Sequence, residues 1–158
     1  MSIDSLAQRL SATPLAETLT DSNWLFGTLE AVHVLALSLV LGSIAFVDVQ
    51  LIGLGLRDRP PRETIARMLP ITWAGFALAA TTGTLMIFAN PIGYFTNTFF
   101  RIKLALLVAA GLNVLAFHFG AVRRLDQPRS LAPRISGALS LTIWLSVVVC
   151  GRWIGFTI

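Results

Sequence analysis

One apolar run of 33 residues constrains this chain more than any other feature: Trp24 to Leu56, WLFGTLEAVHVLALSLVLGSIAFVDVQLIGLGL, which nevertheless carries Glu30, His33 and Asp48. As a helix it would be about 49 Å long, more than the roughly 30 Å of a hydrocarbon core, so it reads as a membrane span that tilts or runs into an interface. At about 100° per residue Glu30 and Asp48 fall on one line, with His33 about 60° away. All three are expected to look into one seam, toward other helices. Ionisable groups in hydrocarbon are costly and persist where they pair, coordinate or relay protons, which makes the seam the default functional site.

The rest of the chain repeats the pattern. It is 55% hydrophobic and 13% charged, against about 25% charged for a soluble domain. Further spans are expected over about 65–89, 99–122 and 135–157, separated by RDRPPRE, NPIGYFTNT and RRLDQPRSLAPR, whose prolines and glycines stop helices. The runs are too long and too evenly apolar for the alternating strands of a membrane barrel. The expected fold is therefore all-α, an integral-membrane antiparallel four-helix bundle formed by residues 24–158 as one domain. Residues 1–23 lack the basic start and unbroken apolar core of a secretory signal, so no cleavage is expected. Ile3, Leu6, Ala7 and Leu10 share a helical face, and Pro14 interrupts before a second turn, giving a short amphipathic segment in the interface. Asp21, Ser22 or Asn23 is expected to cap the first span. Gly75, Ala79 and Gly83 recur every four residues along the second span, a stripe suited to close helix packing within the bundle or between copies in a homo-oligomer.

The net charge of +4 invites a nucleic-acid reading, but the arginines cluster in short loops between apolar runs. That is an orientation signal. Arg57, Arg59, Arg62, Arg67, Arg123, Arg124, Arg129 and Arg134 flank the loops after the first and third spans, whereas the N-terminal tail has only Arg9. Both termini are thus expected on the outer, periplasmic side of a bacterial inner membrane, with the lipid bilayer as the principal partner. The single cysteine, Cys150, lies within the last apolar run and reads as a small buried hydrophobe.

Counting from the outer ends, Glu30 and His33 lie about 9 and 13 Å below Trp24, Lys103 about 6 Å below Phe99, and Arg152 about 9 Å below the chain end. These four form a candidate outer cluster. Asp48 and His118 lie about 36 and 28 Å down their spans, a candidate inner pair. Imidazoles on facing helices of a membrane bundle suit axial ligation of haem b, and basic groups at the rim suit its propionates. His33 and His118 differ in depth by about 15 Å, so one haem held by both is disfavoured, and His33 alone, or His33 with Lys103 as second ligand, fits the depths better. Zinc or copper would be short of ligands, with one His and one Glu per level.

The motifs W-L-F-x-T-x-E-x-x-H-V-L-A-L from Trp24, F-R-I-K from Phe100, G-L-N-x-x-x-F-H from Gly111 and G-R-W-I from Gly151 resemble an uncharacterised bacterial family of four-helix inner-membrane proteins. The resemblance covers the four spans and implies no established activity. More distantly, a histidine early in the first span with a lysine opening the third is similar to the membrane protoporphyrinogen oxidase and copper-resistance D group, some of which bind haem b. That similarity points to His33 and Lys103. The chain departs from it by Glu30 and Arg152, so an enzymatic step does not carry over. Three readings follow: a haem-b redox protein exchanging electrons with quinone or a periplasmic partner, a proton-linked transporter using Glu30, Asp48 and the histidines, or an accessory subunit whose polar residues lock helix pairs, with Glu30 and Arg152 as a salt bridge.

Overall fold

The computed structural model describes residues 3–22, 24–54, 60–125 and 130–158, and among them it is helical with no strand. Several expectations fall outside the described residues: Asn23 as a cap, the end of the first span at 55–56, the arginines of 57–59, and Arg129. The side chains of Ile3, Asp4 and Leu6 do so too. The helices are α1 (Ile3–Ser11), α2 (Pro14–Asp21), α3 (Leu25–Ile52), α4 (Pro61–Ala89), α5 (Pro91–Thr96), α6 (Thr98–Phe119) and α7 (Ala132–Thr157), with a 3-10 turn at Ala121–Arg124. Of these, α3, α4, α6 and α7 are long and apolar enough to cross a membrane.

Local chemistry sets the ends. α3 stops before the expected residue 56 because Gly53 takes a left-handed φ of 96°, from which Gly53 and Leu54 donate back to the Gln50 and Val49 carbonyls at 3.0 Å each. α4 begins at Pro61, earlier than the apolar run suggests, since a proline in the first turn loses no hydrogen bond and already has helical φ. The stretch NPIGYFTNT, expected as a loop, contains helix α5. Asn90 caps it, its Oδ1 accepting from the Gly93 N–H at 3.0 Å, and Asn97 then caps α6 through the Phe100 N–H at 3.1 Å. Ser22 supplies the bond expected at the start of α3, accepting from the Leu25 N–H at 3.3 Å.

α3 packs against α4 on one side and α7 on the other, and α6 packs on α7. No extensive backbone packing of α6 on α3 or α4 occurs among the described residues. Side chains close part of that gap: Val40 of α3, Ala110 of α6 and Ile143, Trp144 and Val147 of α7 form a common buried core. The small-residue stripe of α4 faces α3 within the chain. A methyl group on Gly75 would lie 3.1–3.3 Å from Val40, Leu39 and the Ala36 carbonyl. Gly137 of α7 plays the same part lower down, against Leu51 and Asp48. Polar clamps reinforce these seams. The Ser43 and Thr72 hydroxyls join α3 to α4 at 2.8 Å, Asn113 and Ser136 join α6 to α7 through bonds of 3.1 and 3.2 Å, and Asn97 donates to Thr157 at 2.8 Å.

α1, α2 and α5 gather at one end of the bundle, where α3 and α6 begin and α4 and α7 finish. There α1 packs on α5 and α4, and α2 packs on α4 and α3, with Ala7, Ala16 and Leu19 buried. This is the terminal end below. The opposite, basic end is tied by Arg62, which donates to the Val122 carbonyl at 3.2 Å.

Candidate functional site

His33 lies two turns into α3, half-buried, and its Nδ1 is 2.9 Å from the Thr82 hydroxyl oxygen of α4. That hydroxyl has one proton and two carbonyls of its own helix in reach, Leu78 at 2.8 Å and Ala79 at 3.3 Å. Carbonyls only accept, so when the Thr82 proton goes to one of them the imidazole Nδ1–H donates to Thr82. In that tautomer Nε2 carries the lone pair. The ring fits because the next residue is Gly83: a Cβ there would sit 3.0 Å from His33 Cε1. The α4 stripe therefore does two jobs, backbone approach at Gly75 and an imidazole seat at Gly83.

Lys103 enters from α6, half-buried. Its Nζ is 3.4 Å from where a Gly151 Cβ would stand, beside Cys150 in the chain of α7, and it lies near His33. The terminal end thus collects His33, Lys103 and Cys150 from three helices. Tyr94 of α5, outside the spans, stands beside the cluster with its ring edge-on to Phe100 at 5.4 Å. Burial first, and the nearby Glu30 carboxylate second, push its phenol above the ordinary value of 10.0.

The other expected members are placed differently. Glu30 is exposed on α3 and its charge acts on Tyr94, so the one line it shares with Asp48 does not put both into one buried seam. Arg152 is also exposed, its guanidinium 4.5 Å from the centroid of the Phe156 ring on its own helix, and no ion pair joins it to Glu30 among the described residues. The helical line is right, but the bundle at that level is open, so both ends of the expected salt bridge turn outward. His118 is exposed near the basic end with its ring against Phe119 at 5.5 Å. Asp48, by contrast, is buried, 5% exposed, beneath α7.

Sequence reasoning missed Thr82, Tyr94 and the proximity of Cys150 to Lys103. The Thr82–Gly83 pair was legible in principle, as a hydroxyl and a missing side chain at adjacent positions facing a histidine-bearing span. Among the described residues no group of three His, Cys, Asp or Glu side chains could hold a metal ion.

Four long apolar helices around this cluster define a multi-pass membrane helical bundle. Residues 18–157 match a family of unknown function, DUF6644, and the chain belongs to that family. No curated protein and no solved structure matches it.

Proposed function

We propose that the protein binds haem b at its terminal end, with His33 Nε2 as axial ligand, and exchanges electrons with quinone or a partner protein. The observation that carries this reading is the bond from His33 Nδ1 to Thr82. Metal-ligating histidines are characteristically held by a hydrogen bond from the other ring nitrogen, which fixes the tautomer, orients the ring and raises its basicity. Lys103 is the candidate second ligand, and exposed Arg152 is available to a propionate. His118, exposed near the other end, is not needed. Bound haem would supply one-electron chemistry, and the protein's contribution would be ligation, burial and a charged rim. Glu30 and Tyr94 would border the site on the side of the α1, α2 and α5 layer. The proposed setting is a bacterial inner membrane with both termini periplasmic.

An absorption spectrum of protein purified after expression with ample haem tests the proposal. A Soret band that is lost or shifted in His33→Ala and kept in His118→Ala is expected. No Soret band in the haem-replete wild type removes the reading. In that event the clamps Ser43–Thr72 and Asn113–Ser136 favour an accessory subunit whose polar groups serve packing.

A further inference from the structure

Asp48 is not used by the site at the terminal end, yet it is the described residue least at ease in its surroundings. It lies in the second half of α3, 5% exposed, where Gly137 of α7 crosses so closely that a methyl group there would be 3.1 Å from the Asp48 carbonyl oxygen. Ser140, one turn further along α7, brings its hydroxyl near the carboxyl. The other carboxyl oxygen, Oδ2, is buried and has no hydrogen-bond partner among the described residues.

Among the described residues the neighbouring elements bring no counter-charge to it. On α7 the nearest cation is Arg134, exposed and directed to the end of α3, with Nη2 3.9 Å from where a Gly53 Cβ would be. On α4, Arg67 pairs with Glu63, and Arg62 bonds the Val122 carbonyl. His118, Arg123 and Arg124 on α6 and the 3-10 turn are exposed. A carboxylate in hydrocarbon with a single hydroxyl partner and no cation is costly, and so is an orphaned acceptor. One small ligand removes both costs. Five residues of helix, about 7 Å, separate Asp48 from Gly53 at the basic end, so that ligand has a short way in.

We propose that Asp48 is a proton-binding site, with the proton on the orphaned Oδ2, exchanging with water at the basic end. Loading moves a proton from water to Oδ2, and release returns it to water and leaves a carboxylate beside Ser140. Gly137 keeps the site dry, because any side chain there would push α7 away from the carboxyl. The proposal is independent of haem.

The test is reaction of the full-length protein in lipid vesicles with dicyclohexylcarbodiimide, an apolar reagent that adds to protonated carboxyls, the acid proton going to a carbodiimide nitrogen. Sites are read by peptide mass spectrometry. The expected result is an adduct on Asp48 that forms faster as pH falls, is not formed by a water-soluble carbodiimide, and disappears in Asp48→Asn. Infrared difference spectra should show a protonated-carboxyl stretch that the same variant lacks. An unmodified Asp48 in folded wild-type protein overturns the proposal, as does labelling that sodium suppresses at constant pH, which would make the ligand a metal cation. The wild-type adduct is decisive even if Asp48→Asn fails to fold.

Discussion

Gly83→Ala is expected to destabilise the bundle even though alanine is the better helix former. The added methyl group would lie 3.0 Å from His33 Cε1, so the imidazole must move. Moving it stretches the 2.9 Å bond to Thr82. Losing such a bond costs about 1 kcal/mol, and overpacking typically costs about 1–3 kcal/mol. Replacing a helical glycine by alanine returns about 1 kcal/mol. The balance is a net loss of about 1–3 kcal/mol. Gly111→Ala is the control, because nothing lies within 4 Å of a Cβ built there and only the propensity gain applies. Denaturant unfolding in one detergent, comparing both variants with wild type, measures the difference. A Thr82→Val background tests the cause: if Gly83→Ala acts through the His33–Thr82 bond, its cost should shrink by about 1 kcal/mol there. Gly83→Ala as stable as Gly111→Ala would refute the reasoning and mean that the His33 ring does not sit on Gly83.

In haem-replete protein, Lys103→Met should change the position of the Soret band if lysine is the second ligand, and an unchanged band would remove Lys103 from the coordination sphere. The chain has one tyrosine, so tyrosinate absorbance reports Tyr94 alone. Its folded phenol lies above the ordinary value of 10.0, so between the two values the folded state holds a proton that the unfolded state has lost. Its stabilising contribution is then present below pH 10 and is lost as pH rises through that window. Glu30→Gln should lower the titration midpoint, and an unmoved midpoint would show that the carboxylate does not face the phenol. A reporter fused after Ile158 should be active only when exported, whereas a fluorescent cytoplasmic fusion would invert the proposed orientation.

The four spans were legible because apolar length alone forces them: no other structure satisfies some twenty backbone amides in hydrocarbon. The ends were less legible, since Pro60 and Pro61, expected to break a helix, instead start one, which is why α4 begins before its apolar run. The candidate site was half legible. Depth along the helices placed His33 and Lys103 toward the same end, because rise per residue survives folding. Angle around the helix failed for Glu30 and Arg152, because facing inward requires a neighbour at that level, and α6 does not close on α3 and α4. Thr82 was easily passed over because a threonine in a membrane helix usually bonds its own preceding turn, and Thr82 does that too. Its second bond, from His33, needs the register of two helices.

The same register bears on the proton-linked transporter reading. His33 and Asp48 are fifteen residues apart on α3, about 22 Å of rise, so a relay between them would have to cross the middle of the bundle. There α3 presents Val40, fully buried, against Val147 and Trp144 of α7 and Ala110 of α6. Aliphatic and aromatic side chains in contact leave no carrier for a proton. The nearest polar pair, Ser43 with Thr72, joins α3 to α4 one turn along from Val40, and Ser43 is also 3.0 Å from the Val40 carbonyl, so these hydroxyls are engaged with each other and with their own helices. The architecture is better suited to two separate sites, a histidine and lysine open to the terminal end and a carboxyl open to the basic end, than to one conducting path. Val40→Ser with Val147→Ser would put hydroxyls into the dividing layer. If the two ends are insulated by that layer, proton leakage through vesicles should be absent in the wild type and rise in the double variant; wild-type leakage that Asp48→Asn abolishes would show instead that a continuous path exists and that the apolar layer does not seal it.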